Sequence, residues 1–85
     1  MKGSEPFVGW RKRSTQPGWS GVVTADTEAE CRRRLVNVLA AEGGDGVALV
    51  LRRDAGSPAS HDIRGLLYRR GRLLKQGYRF RRKEE

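Results

Sequence analysis

The sequence has few of the residues that build cross-linked or metal-bound sites. Its 85 residues include one cysteine, Cys31, and one histidine, His61. A single cysteine excludes an intrachain disulfide, on which secreted domains of this size usually depend. A structural zinc site takes four Cys or His ligands, so two such residues are too few. We therefore expect no metal and no other cofactor.

Long apolar runs are also missing. No segment approaches the roughly 20 apolar residues of a membrane span, and no early run resembles a signal peptide. These absences predict a soluble, cytoplasmic protein without a membrane partner.

The chain is equally poor in groups that could form a catalytic site. Ser60, His61 and Asp62 are adjacent in sequence, but the side chains of a catalytic triad converge from separate positions. Cys31 and His61 are the other candidate pair, a nucleophile and a base, yet Cys31 falls within an apolar stripe that indicates inert packing. We expect a protein that is not an enzyme, with no catalytic residues.

Positive charge is what the chain has in excess. The formal net charge is +8, and the two halves share it unequally. Residues 1–42 contribute +2, from seven Lys/Arg and five Asp/Glu, whereas residues 43–85 contribute +6, from eleven and five. From Ile63 to Lys83 there are nine basic residues and no acidic one. A field of one sign attracts polyanions, nucleic acid first among them.

The basic C-terminal third therefore supplies the candidate site. Arginine dominates it, and the planar guanidinium suits phosphate oxygens in a bidentate manner. We predict a small nucleic-acid-binding module acting through arginine–phosphate contacts, without choosing between DNA and RNA. The predicted binding residues are Arg64, Arg69, Arg72, Lys75, Arg79, Arg81, Arg82 and Lys83.

Two other interpretations stay open. The arginines could be no more than solvated charges, because net charge speaks to association and not to a specific function. The chain could also be a protein-interaction module or a homodimer that uses an exposed sheet edge or the side chains of Trp10 and Trp19.

The first third predicts two strands. Phe7 to Arg13 and Trp19 to Thr24 flank the turn residues Pro17-Gly18, a pattern typical of a hairpin. We divide the chain into a flexible N-terminus (1–6), a single domain (7–83) and a frayed C-terminus (84–85).

A helix from Thr27 to Glu42 is the clearest prediction. Thr27 and Glu30 have capping-box spacing, and Cys31, Leu35, Val38 and Leu39 form one apolar stripe. Gly43-Gly44 ends the helix, because glycine adopts the left-handed conformation at little cost. The continuous apolar run Val47–Leu51 predicts a central strand.

Residues 62–76 fit two structures. In one, a second helix ends at Gly77, although Gly65 and Gly71 would each cost about 1 kcal/mol relative to alanine. In the other, Leu66–Arg69 and Leu73–Arg82 form a hairpin around Arg70-Gly71. We favour the helix.

Together these elements predict an α+β fold, a sheet of three to four strands packed against the Thr27–Glu42 helix. If the strands before and after that helix run parallel, the connection is a right-handed crossover. Trp10-Arg11, Gly18, the strand that follows and Thr27–Glu30 resemble the strand-to-helix passage of the arm-binding domains of phage-type integrases. The later strand Val47–Leu51 departs from that plan, and no contact residue is carried over.

Overall fold

The computed structural model describes residues 5–58 and 63–80, which form one α-helix, one short 3-10 helix (Arg53–Ala55) and five strands. The elements are β1 (Phe7–Arg13), β2 (Ser20–Ala25), α1 (Glu28–Glu42), β3 (Gly46–Arg52), β4 (Ile63–Arg69) and β5 (Arg72–Phe80). The strands form one sheet in the order β2-β1-β3-β4-β5, and each neighbouring pair is antiparallel. α1 packs on one side of the sheet, here called the helix face, and the opposite side is called the far face.

The predicted α+β class is confirmed, and the predicted count of three to four strands is wrong. The sheet has five strands because residues 63–80 form the β4–β5 hairpin, which also overturns the favoured second helix. Arg70 has φ 52° and Gly71 has φ 78°. Two consecutive residues with positive φ are typical of a type I′ turn, whose twist matches that of the flanking strands. The turn therefore favours the hairpin over the helix.

Helix α1 begins and ends as predicted. The Thr27 hydroxyl accepts a hydrogen bond of 3.1 Å from the Glu30 amide, which satisfies one of the free N–H groups of the first turn. At the other end Gly43 has φ 73° and ψ −162°, and its N–H donates to the Leu39 carbonyl. That backbone conformation is essentially restricted to glycine, so Gly43 fixes the end of the helix.

The core lies between α1 and the helix face. Leu35, Leu39, Ala48, Leu66 and Tyr68 form one buried cluster. Of the predicted helical stripe, Cys31, Leu35 and Leu39 are buried and Val38 is half-buried. Burial of apolar area in this cluster is the main force that holds the helix against the sheet.

The β1–β2 hairpin is confirmed, and β2 begins at Ser20, one residue later than predicted. The register shifts between Gly9 and Trp10, and as a result both Val22 and Val23 pack against the core. β2 and β3 run parallel to each other, because each is antiparallel to β1, which lies between them. The β2–α1–β3 connection therefore crosses over one intervening strand.

The tip of the β4–β5 hairpin is fastened to the end of the helix. The Gly71 amide donates to the Gly44 carbonyl over 2.8 Å, and the Arg70 amide donates to the Asp45 carboxylate over 2.8 Å. A Cβ atom on Gly71 would lie 2.6 Å from the Leu39 carbonyl oxygen. The hairpin is thus held against the α1–β3 connection and does not project as a free arm.

Candidate nucleic-acid interface

The residues of β1 alternate between the two faces of the sheet. A Cβ on Gly9 would lie 3.3 Å from Leu35, so this position faces the helix. Arg11 and Arg13 lie on the same side and both contact Glu42 near the end of α1. Because successive side chains of a strand point to opposite faces, Trp10 and Lys12 lie on the far face.

The strand register extends this assignment across the sheet. Lys12 is paired with Val47, Val47 with Leu67, and Leu67 with Lys75, so these four residues form one row on the far face. The assignment agrees with the core, because Ala48, Leu66 and Tyr68, the sequence neighbours of Val47 and Leu67, all pack towards α1.

Arg69 and Arg72 lie one row further, opposite each other beside the hairpin turn. Arg69 follows the core residue Tyr68, and Arg72 precedes Leu73, which packs against the core. Both arginines therefore lie on the far face, next to Lys75.

The strands carry positive charge without any negative charge. As far as the structure describes them, the five strands contain no Asp or Glu. They contain nine basic residues, Arg11, Lys12, Arg13, Arg52, Arg64, Arg69, Arg72, Lys75 and Arg79. The helix, by contrast, has three Glu and three Arg, so its formal charges cancel. The net charge of the molecule is concentrated in the sheet.

Most cations on the helix side are paired with acids, the exception being Arg32, which donates a hydrogen bond to the Gln76 side chain. Arg13 lies 3.2 Å from Glu42, and Arg34 lies 3.0 Å from Glu30 and 3.5 Å from Glu5. Hydrogen bonds from Arg33 and then Arg34 lower the pKa of Glu30 below its ordinary value. Glu30 therefore stays ionised and offsets Arg33 and Arg34 at neutral pH.

Arg52, at the end of β3, also has neighbours that hold its guanidinium. Its Nε lies 3.8 Å from the Asp54 carboxylate, and its guanidinium carbon lies 5.4 Å from the centroid of the Phe7 ring. That distance to the ring is within the range of a cation–π contact.

Cations on the far face are not paired in this way. Within residues 5–58 and 63–80, no carboxylate forms an ion pair with Lys12, Arg69, Arg72 or Lys75. Arg69, Arg72 and Lys75 are exposed, and Lys12 is half-buried. No carboxylate in the described part of the chain therefore offsets their charges. We call these four residues the far-face cations.

The structure brings together part of the predicted site. Arg69, Arg72 and Lys75 share the far face, as described above. Arg64 and Arg79 are paired in the β4–β5 register, towards the end of the hairpin that is remote from the turn. The other three predicted residues, Arg81, Arg82 and Lys83, lie outside the described residues.

Lys12 is the far-face cation that the sequence prediction missed. It comes from the N-terminal half, which the charge count treated as nearly balanced. The signal was the run Arg11-Lys12-Arg13 within a strand, because alternation places the middle residue on the face opposite its two neighbours.

An apolar centre lies beside the far-face cations. Val47, Leu67 and Trp10 are half-buried there. Val8 and Leu49, at 8% and 4% exposed, are buried but do not belong to the core cluster under the helix. Both residues adjoin this centre. Leu49 of β3 is paired with Trp10, and Val8 of β1 is paired with Leu51. The far face thus combines an apolar centre with basic borders.

Gly21 makes room for the Trp10 ring. A Cβ at Gly21 would lie 3.7 Å from Cζ3 of the indole, so the ring extends over β2, where Gly21 has no side chain. The indole N–H of Trp10 is buried and has no hydrogen-bond partner among the described residues. The ring is therefore held by packing rather than by a polar contact.

Of the other candidate reactive groups, the structure describes Cys31 alone. Cys31 is buried in the core, and burial raises the pKa of its thiol, which disfavours the reactive thiolate. Ser60, His61 and Asp62 lie outside the described residues. Residues 5–58 and 63–80 contain no group of three or more His, Cys, Asp or Glu residues arranged to hold a metal ion. In the same part of the chain, no helix has both the length and the apolar character that crossing a bilayer requires.

Comparison with known proteins gives no relative: no model of a protein family matches the sequence, and no curated protein or solved structure is significantly similar to it. The resemblance of Trp10–Glu30 to integrase arm-binding domains receives no support from these comparisons. The geometry of the far face is therefore the basis for a functional conclusion.

Proposed function

We propose that the protein binds nucleic acid through contacts between phosphate oxygens and the far-face cations. One observation carries the proposal: Arg11 and Arg13 on the helix face are paired with Glu42. The far-face cations, by contrast, form no ion pair within the described residues. These four basic side chains lie in two adjacent rows and form a patch. Such a patch suits a partner with many negative charges, such as a polyanion, better than a partner with one acidic side chain.

Salt dependence follows from this mode of binding. Each neutralised phosphate releases condensed counterions, so four contacts give a log–log slope of about −3 to −4. The affinity should then fall on the order of a hundredfold between about 50 mM and 200 mM salt. A titration at several salt concentrations measures this slope. Absence of binding at low salt, or an affinity that does not change with salt, would overturn the proposal.

Paired variants separate the patch from net charge alone. Arg69→Gln/Arg72→Gln removes two far-face charges, and we expect the slope to fall by about 2 with a large loss of affinity. Arg11→Gln/Arg13→Gln removes the same two charges from the helix side, where the Glu42 carboxylate already offsets one of them. We expect the control to bind nearly as the wild type. Equal losses in the two double variants would mean that net charge, and not a surface, drives binding.

A second pair of variants tests the surface with two adjacent residues. Lys12→Gln and Arg13→Gln change the net charge equally, but the two side chains lie on opposite faces of β1. The proposal expects Lys12→Gln to weaken binding and Arg13→Gln to leave it almost unchanged.

Repulsion between like charges disfavours the alternative, a homodimer formed along the edge strand β5. Self-pairing of β5 would bring Arg72 and Lys75 of two copies onto neighbouring strands, and like charges in such positions are destabilising. Light scattering on the free protein checks this point, and a stable dimer would contradict it.

A further inference from the structure

We infer that the nucleic acid is single-stranded and lies across the far face, with its bases over the apolar centre and its backbone along Arg69, Arg72 and Lys75. This inference rests on the proposed function and adds the class of ligand and its orientation. The observation behind it is the juxtaposition of apolar and basic residues on one face of the sheet.

On the far face, basic residues lie on both sides of an apolar strip, which Val47 and Leu67 of the apolar centre form. The row Lys12–Val47–Leu67–Lys75 crosses four strands, β1, β3, β4 and β5. At a strand spacing of about 4.8 Å, the Cα atoms of Lys12 and Lys75 lie roughly 14 Å apart. Val47 and Leu67 fill the interval between them. A nucleic acid could therefore place its phosphates against the basic residues and its bases against Val47 and Leu67 at the same time.

The apolar strip distinguishes a single strand from a duplex. In a duplex the flat faces of the bases are stacked against each other, so the strip would meet only sugars and phosphates and gain little. In a single strand the bases are free to stack on an aromatic ring or lie on apolar side chains. The half-buried Trp10 supplies such a ring on the same face as Lys12.

The position of the hairpin tip disfavours insertion into a duplex groove. A two-stranded ribbon enters the major groove of DNA when it projects from the protein. Here the Gly71 amide is bonded to the Gly44 carbonyl, and the Arg70 amide is bonded to Asp45. The basic residues beside the turn are therefore presented on the flat face of the sheet, where an extended strand can lie.

The wild-type chain provides the first test. Its affinity is measured for oligodeoxythymidylate, oligouridylate and a mixed-sequence duplex, each about 12 units long, since single-strand sites span about 4–16 nucleotides. All titrations use the same low salt concentration, with fluorescence anisotropy of a labelled oligomer as the readout. We expect at least one of the single strands to bind about tenfold more tightly than the duplex. A duplex that binds as tightly as both single strands would overturn the inference.

Variants at Trp10 provide the second test. Trp10→Leu keeps apolar bulk but removes the ring, and we expect it to lower single-strand affinity about tenfold, as loss of one stacked base does. The salt slope and the duplex affinity should stay unchanged, because the phosphate contacts remain. Trp10→Phe keeps a ring and should retain most of the affinity. If Trp10→Leu and Trp10→Phe bind single strands as well as the wild type, the assigned position of the bases is wrong.

The outcomes separate this inference from the proposed function. If neither single strands nor duplex bind at low salt, the proposed function itself fails. If both bind equally and Arg69→Gln/Arg72→Gln weakens both, the proposed function stands and the single-strand inference fails. Thermal unfolding of each variant checks that it is folded, and the comparison of ligands on the wild type needs no variant.

Discussion

The two faces of the sheet are built from the same strands but differ in what surrounds their charges. On the helix face, Arg11 and Arg13 meet Glu42. Lys12, which lies between them in sequence, forms no ion pair on the far face with any carboxylate of residues 5–58 and 63–80. The difference arises because the acids that the structure describes all lie outside the strands, and three of them lie in α1. In β1, the basic residue that no described carboxylate pairs with is therefore the one whose side chain points away from α1.

Substitutions in the apolar part of each face should give the largest difference. Leu35 is completely buried in the core under the helix, whereas Leu67 on the far face is half-buried. Leu35→Ala should lower the free energy of unfolding by about 3 kcal/mol, within the range of such deletions. Leu67→Ala should cost about 1 kcal/mol, because fewer contacts are lost. Denaturant unfolding measures both, and equal losses would contradict the view that the helix covers only one face.

The contact that joins the hairpin turn to the helix should give the next largest effect. Gly71 combines φ 78° with a Cβ position 2.6 Å from the Leu39 carbonyl oxygen, so Gly71→Ala suffers both strain and a clash. We expect a loss of about 2–3 kcal/mol. Gly18→Ala is the matched control, because Gly18 has φ 88° with nothing within 4 Å and should cost about 1 kcal/mol. Similar losses in the two variants would mean that the turn is not pressed against α1.

The cap of α1 should give a smaller effect. Thr27→Ala removes the hydrogen bond to the Glu30 amide and should lower the free energy of unfolding by about 1 kcal/mol. Thr15→Ala, in the exposed β1–β2 turn, should change it by less than about 0.5 kcal/mol. The melting temperatures of the two variants report the difference. A Thr27 variant as stable as the Thr15 variant would show that the cap contributes nothing.

Acid should weaken the ion pairs of Glu30 on the helix side. The pKa of Glu30 is lowered from its ordinary value of 4.5, first by the hydrogen bond from Arg33. A carboxylate whose pKa is lower in the folded state stabilises the fold fully when the pH is above its pKa in the unfolded state. This stabilisation is lost as the pH falls through the lower pKa of the folded state. The melting temperature should therefore decrease below about pH 4.5, and part of that decrease should vanish in Glu30→Gln. An identical pH profile in the variant would contradict this assignment.

Elements specified by nearby residues were predictable from the sequence. Thr27 and Gly43 mark the two ends of α1, and each acts through hydrogen bonds within a few residues. The β4–β5 hairpin was harder, since the register shifts between Gly65 and Leu66 and again between Leu67 and Tyr68. These irregularities interrupt the alternation that reveals a strand, and the apolar residues of the segment then also fit a helix.

The candidate site was predictable only in part, for a different reason. The excess of arginine near the C-terminus pointed to Arg69, Arg72 and Lys75, which the structure places on one face. Whether a charge is already offset depends on partners distant in sequence, such as Glu42 for Arg13. For the same reason Lys12 was missed, because its place among the far-face cations follows from the strand register. That register puts Lys12, Val47, Leu67 and Lys75 in one row across the sheet.

The absence of acidic residues from the strands gives ionic strength two opposite roles. In the free protein, neighbouring basic side chains such as Arg69 and Arg72 repel each other, and added electrolyte screens that repulsion. In the complex, the same electrolyte competes for the phosphates. Conditions that make the unbound protein most resistant to heat should therefore be those in which it holds its ligand least well.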